Sequence, residues 1–114
     1  MEEKLLPIVG ISCGDPNGIG IEIILKSLHD KRILEFFTPV IFSNYQLLSS
    51  QTSFFNLDLK FNKIKYGVHA KKGQINVVNA WENEFIIEFG KSTRTSGEMS
   101  YKSLELTTMA IVDN

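Results

Sequence analysis

The sequence is sparing in three things: it has one cysteine, three prolines and one tryptophan in 114 residues. The lone Cys13 cannot close an intramolecular disulfide, and no Cys spacing suits a metal, so a reducing, cytoplasmic compartment is expected. Neither sign of charge is in excess, with 12 Lys and Arg against 13 Asp and Glu and a formal net charge of −1. That balance lacks the basic stripe of a nucleic-acid-binding module. No apolar run approaches the roughly 20 residues of a membrane-spanning helix. The acidic start Met1-Glu2-Glu3-Lys4 leads into a short apolar run broken by Pro7, unlike a signal or transit peptide. Repeats and low-complexity tracts are also missing. What is present is average: 43% hydrophobic, 11% aromatic and 22% charged residues exclude a disordered tail and allow a folded core. The length suits one domain without an internal boundary, or part of a larger one.

Leu5 to Cys13 is apolar and β-branched around Ile8, Val9 and Ile11, and reads as a buried strand. The turn Gly14-Asp15-Pro16-Asn17-Gly18-Ile19-Gly20 follows. A helix comes next, because Ile21, Ile24, Leu25 and Leu28 recur on one face of a 3.6-residue period. Glu22 and Lys26 sit one turn apart in the favourable acid-first order. Thr38 to Ser43 reads as a second strand, which completes a βαβ unit with parallel strands and a right-handed crossover. Further on, Asn44 to Gln51 fits a short helix, Leu59 to Tyr66 a half-exposed strand, Gln74 to Ala80 a buried strand, and Phe85 to Phe89 another. Thr95 and Glu98 have the spacing of a capping box. They predict a helix from about Ser96 that buries the stripe Tyr101, Leu104, Thr108 and Ile111, widened by Leu106, Met109 and Ala110. Asn114 is a candidate C-cap. The nearly all-round apolar Met109 to Val112 calls for chain or partner to pack against.

The informative feature is the Gly-rich turn between strand and helix. Its glycines allow a sharp turn and a close backbone approach, and the helix N-terminus beyond them favours an anion. A phosphate or carboxylate of a small ligand suits such a place, and the same glycines would also suit a plain steric turn. Two common fingerprints fail here. A dinucleotide-binding G-x-G-x-x-G would need glycine at position 23, which is Ile, and the acid expected after the second strand is replaced by Ser43-Asn44. A P-loop needs Gly-Lys-Ser/Thr, whereas Gly20 is followed by Ile21-Glu22.

Ile11 to Glu22 resembles the N-terminal signature of the 4-hydroxythreonine-4-phosphate dehydrogenase family. The match lies at Gly14, Asp15, Pro16, Gly18, Ile19, Gly20 and Glu22, with departures at Asn17, where Ala is usual, and Ile21, where Pro is usual. Gly90 to Ala110 resembles the family more weakly, through Ser96-Gly97 and a long helix with Tyr101, Leu104 and Ala110. The resemblance implies an α/β chain: the N-terminal part of a two-domain α/β/α dehydrogenase of the isocitrate/isopropylmalate dehydrogenase type. It also implies an oxidoreductase of vitamin B6 (pyridoxine, pyridoxal phosphate) biosynthesis. Such an enzyme oxidises a small phosphorylated amino acid, 4-phosphohydroxy-L-threonine, with NAD and a divalent metal, the product then losing its carboxylate. Family members are homodimers whose metal-binding histidines lie downstream of anything in this chain.

Carried over residue by residue, the resemblance makes Gly14, Asp15, Pro16, Gly18 and Gly20 cleft-lining residues for substrate or cofactor. It assigns no catalytic and no metal-binding residue to this segment. His29, at a helix end, and His69, beside Lys71 and Lys72, read as surface histidines. Cys13 reads as a buried inert thiol, Lys60, Lys63 and Lys65 as a solvated face, and Trp81 and the phenylalanines as core. The expectation is therefore an incomplete, inactive N-terminal piece of the enzyme. The competing reading is a free-standing α/β module that binds a small phosphorylated or carboxylated ligand at the Gly14–Gly20 turn. An interaction scaffold with a purely steric turn is the third.

Overall fold

Four short runs of mostly β-branched and aromatic residues pair into one parallel sheet in a computed structural model of the chain, which describes residues 6–82 and 85–113. The chain order is β1 (Ile8–Ser12), α1 (Gly20–Leu28), β2 (Thr38–Ser43), α2 (Tyr45–Phe54), β3 (Phe61–Ile64), β4 (Ile75–Asn79) and α3 (Arg94–Asp113). A short 3-10 turn, Lys31–Glu35, stands between α1 and β2. In space the strands run β1-β2-β4-β3. The predicted βαβ unit is present, with Ile8 opposite Thr38 and Ser12 opposite Phe42 in parallel register.

Alternation along the strands divides the core in two. Ile41, Ile75 and Val77 face α1 and α2, together with Ile21, Leu25, Leu28, Leu47 and Leu48. Val40, Phe42 and Val78 face the other way, towards Leu106 and Ala110 of α3. On α1 the predicted apolar face is the buried one, and Glu22 pairs with Lys26 at 2.6 Å on the outside. Asn44 caps α2: its Oδ1 accepts from the Leu47 amide at 3.1 Å, while its Nδ2 donates to the Trp81 carbonyl at 2.8 Å. The helix extends to Phe54, past the Gln51 read from the sequence, with Thr52 held to the Leu48 carbonyl at 2.8 Å.

The link between β3 and β4 is unusual. These strands are adjacent and parallel, yet residues 65–74 join them without a helix, where about a dozen or more residues are the norm. Asn76 makes the short route possible. It is fully buried in β4, and its Nδ2 donates to the carbonyls of Pro39, Lys71 and Gln74 at 3.2, 3.1 and 3.1 Å. Its Oδ1 accepts from the Lys71 amide and from Asn62 Nδ2, both at 2.9 Å. The link's orphaned backbone groups thus find partners inside the sheet.

Two sequence expectations are corrected. Phe85–Phe89 is not a strand: residues 85–88 are irregular and 89–90 form a turn. Phe85 and Ile87 pack on the core, but the amide of Glu88 bonds the turn after β1 instead of a neighbouring strand. The second correction concerns α3. Its cap is Thr93 with Ser96, not Thr95 with Glu98: Thr93 Oγ1 accepts from the Ser96 amide and Ser96 Oγ from the Thr93 amide, each at 3.0 Å. Glu98 instead faces Arg94 at 3.4 Å. The helix is also rotated from the expected face: Leu106 and Ala110 of the expected stripe pack on the core, but its other members do not. Ser96, Met99, Ser103 and Thr107 are buried, while Tyr101, Leu104, Thr108 and Ile111 are exposed. Specific hydrogen bonds decide the rotation, because Ser103 Oγ accepts from the Cys13 amide at 3.0 Å and donates to the Phe42 carbonyl. Met1–Leu5 and the candidate C-cap Asn114 lie outside the described residues.

Asn76→Ala leaves several buried backbone groups without partners, and should lower the unfolding free energy by roughly 2–3 kcal/mol. Urea denaturation measures this directly, and a loss below about 0.5 kcal/mol would show that the short link holds without the network.

Candidate functional site

The turn between β1 and α1 lies at the carboxyl edge of the parallel sheet. Open α/β sheets bind ligands outside that edge, where successive connections leave on opposite faces. Here α1 follows β1 onto one face, and α3 follows β4 onto the other. Between these connections the turn meets residues 80–93.

Asn17 joins the two segments. Its side chain is 2% exposed, with Oδ1 accepting from the Glu88 amide at 2.7 Å and Nδ2 donating to the Lys91 carbonyl at 2.9 Å. Its own carbonyl accepts from the Gly90 amide at 2.9 Å. Asp15 makes the second join: one carboxylate oxygen accepts from the Asn17 amide at 2.9 Å and the other from Ser96 Oγ at 3.1 Å. The first is an Asx turn, which short acidic side chains form readily. The second ties the turn to the start of α3.

The other residues predicted for the site have distinct settings. Gly14 is exposed and has φ +67°, a left-handed conformation that suits glycine. At Gly20 a Cβ would lie 2.8 Å from the Cys13 carbonyl oxygen, so the chain's own backbone fills that space. Pro16 is fully buried and Gly18 half-buried. Both line a small cavity of about 130 Å³ with Asn17, Ile21, Phe55 and Phe89. The N-terminus of α1 opens beside it: Ile19 is the N-cap residue, and no side chain caps the first turn. Amides left in that state, together with the helix dipole, suit an anionic group, although Glu22 in the same turn counts against a high charge there.

Cys13 lies just inside the turn. Burial pushes its thiol above the usual range, and the Ser103 hydroxyl only partly opposes that. Two polar atoms near this edge, Ser43 Oγ at the end of β2 and Trp81 Nε1 beyond β4, are buried without a hydrogen-bond partner. His29 and His69 are both exposed, as the sequence suggested. Among the described residues no three His, Cys, Asp or Glu side chains converge as a metal site would require. Among the described residues no helix is long and apolar enough to cross a membrane. Sequence reasoning missed Asn17, Ser96 and Ser103 as joining residues. Asn17 gave a signal, as an Asn in a Gly-rich turn and a departure from the family pattern, and Ser96 a weaker one through Ser96-Gly97; Ser103 gave none.

No family model matches the chain. Individual proteins do. A 4-hydroxythreonine-4-phosphate dehydrogenase of Bacteroides thetaiotaomicron is 31% identical over 105 residues, covering 92% of this chain and 29% of that protein. A Clostridium botulinum protein with the provisional name D-threonate 4-phosphate dehydrogenase is 37% identical over 59 residues, 52% of this chain and 18% of its own length. The crystal structure of a 4-hydroxythreonine-4-phosphate dehydrogenase from Burkholderia phymatum superposes with a TM-score of 0.82 at 20% identity, over 96% of this chain and 34% of that one. The chain therefore has the α/β fold of that dehydrogenase and is a relative of proteins so named, as the turn residues suggested. It spans about a third or less of the proteins it matches.

Three outcomes are expected at this site. Gly20→Ala forces a Cβ against backbone and should cost roughly 1–3 kcal/mol in urea denaturation. Asn17→Ala should cost a similar amount and release the Glu88 amide to faster hydrogen exchange, an effect Gly20→Ala should not share. The Cys13 thiol, buried and kept neutral, should resist iodoacetamide at pH 8 in the folded protein and react at an ordinary rate in urea.

Proposed function

We propose that the chain supplies one wall of the cleft of an NAD-dependent dehydrogenase that oxidises 4-phosphohydroxy-L-threonine in vitamin B6 biosynthesis. The observation carrying this reading is the 31% identity to the Bacteroides thetaiotaomicron protein over 92% of the chain, with the Gly14–Glu22 signature inside the chain. A soluble, cytoplasmic homodimer completes the reading, since that is the family's habit.

In this reading Gly18 and Gly20 bring the backbone round so that the first amides of α1 face an anionic group, the substrate phosphate or carboxylate or part of the cofactor. Asp15 positions the turn in this reading, its two oxygens accepting from the Asn17 amide and the Ser96 hydroxyl. Asn17 and the residues 88–91 that it holds position that wall. NAD bound in such a cleft would supply the hydride acceptor for the oxidation. The residues described here do not fit a divalent metal, so no step of the mechanism is drawn through one on this chain. Its ligands, and the groups that move protons, belong to sequence outside these residues, and the chain alone is inactive.

The Clostridium botulinum relative favours a second substrate, D-threonate 4-phosphate, over the stretch of 59 residues that it matches. Both names share a 4-phosphate, which is the group suited to the α1 N-terminus.

Titration of the isotopically labelled chain with inorganic phosphate, followed by amide chemical shifts, tests the seat. Shifts confined to Gly18–Glu22 are expected at millimolar phosphate, and their absence would remove the turn as an anion site. With NAD, a divalent metal and either 4-phosphorylated substrate, the 114-residue chain should form no NADH above the blank. Sustained turnover would show that it is complete by itself.

A further inference from the structure

Strand β1 closes one end of the sheet and, among the described residues, pairs only with β2. Most parallel sheets keep such strands covered, yet Ile8 and Val9 are 56% and 39% exposed. Directly behind β1 runs α3, with Ser103 and Thr107 turned to the sheet and Tyr101, Leu104 and Ile111 turned out at 65%, 56% and 69% exposure. A helix forming the outermost layer of a fold shows the reverse pattern. Ile8 at the open edge and Ile111 at the end of the outward stripe line one hollow, so the two apolar surfaces adjoin.

Chain geometry indicates what covers it. The crossover from β1 to β2 carries α1 on one face, and right-handedness fixes its direction across the sheet. On the opposite face the same handedness runs the other way, from β4 towards β1, which is the path of α3 across β2 and β1. The next parallel strand of such a unit falls at the free edge of β1. The relatives are about three times as long as this chain, with 29% and 34% of their lengths matched, so they hold further sequence to fill that position.

We propose that the β1 edge and the Tyr101–Leu104–Ile111 face of α3 are one interface, occupied by polypeptide equivalent to the relatives' remaining length. That polypeptide adds a parallel strand beside β1 and an apolar layer over α3. The proposal rests on the kinship with the dehydrogenases but not on the substrate assigned to them. It extends the carboxyl edge of the sheet, where the turn and the buried Ser43 and Trp81 polar atoms lie, beyond β1.

The test co-expresses the tagged 114-residue chain with the unmatched remainder of the Bacteroides thetaiotaomicron relative. That relative's own matching segment serves as the positive control. A 1:1 complex by light scattering is expected, with a loss of about tenfold or more in affinity for the double variant Leu104→Glu and Ile111→Glu. Both positions are exposed, so circular dichroism of the variant should match that of the parent chain. No complex while the control assembles would overturn the proposal, as would a complex indifferent to the double variant. A homodimer of the chain alone that the double variant abolishes would also overturn it, because the face would then belong to a second copy. A complex that assembles normally but oxidises neither 4-phosphorylated substrate would leave the interface standing and sink the functional reading.

Discussion

The hydroxyl of Ser103 ties three parts of the fold together. It accepts from the amide of Cys13, at the end of β1, and donates to the carbonyl of Phe42, near the end of β2. These are backbone groups at the rim of the sheet, where the ladder ends and partners run short. Meeting them from a helix requires that helix to lie close, with a small polar side chain on its inner face. The close approach is visible further along, where a Cβ at Gly10 would come within 3.2 Å of Thr107 Cγ2. Once Ser103 and Thr107 face inward, the geometry of α3 leaves Tyr101, Leu104 and Ile111 no place but the outside. The exposed apolar stripe is therefore a consequence of how the sheet rim is satisfied.

The same economy governs the turn. Its glycines answer to backbone geometry, Gly14 by its positive φ and Gly20 by contact with the Cys13 carbonyl. Its polar residues answer to assembly: Asp15 reaches Ser96, and Asn17 reaches Glu88 and Lys91. The turn is thus held rigid by elements distant in sequence. The α1 N-terminus, lacking a side-chain cap, keeps the polarity an anion would use. Rigidity around an uncapped helix start is what a preorganised anion seat needs, because little ordering remains to be done on binding.

Much of this was legible in the sequence, for local reasons. The first strand, the glycine turn, the α1 stripe and β2 could be read because period, turn chemistry and a single crossover all agree there. The sequence misled where a long-range polar contact outweighed apolar patterning. On α3 the apolar stripe marks one face and the Ser/Thr stripe another, and only the partners at Cys13 and Phe42 decide which is inside. Residues Phe85–Phe89 look like a strand by composition, but Asn17 holds the Glu88 amide. Asn76 gave no local sign that it would replace a crossover helix, since its five bonds reach four other residues, Asn62 and Pro39 among them.

The distribution of ionisable groups along the carboxyl edge also constrains what this chain can contribute. Asp15 is the carboxylate at the heart of the turn, and its oxygens are occupied. Cys13 is buried with its thiol pushed upward, and the two histidines are exposed, one at the end of α1 and one beside the link before β4. General acid–base chemistry needs a positioned group with a pKa near the working pH. Asp15 is tied to Asn17 and Ser96, Cys13 is buried with its thiol pushed upward, and both histidines are exposed, so the described part of the edge is suited to holding and orienting a ligand. In the proposed dehydrogenase, the glycine turn would be on one segment and the titratable or metal-binding groups on another, with the chemistry where the two meet. The proposed interface on β1 and α3 would then matter to that function as much as the turn, because it would set the distance between a ligand held at the turn and the groups that act on it.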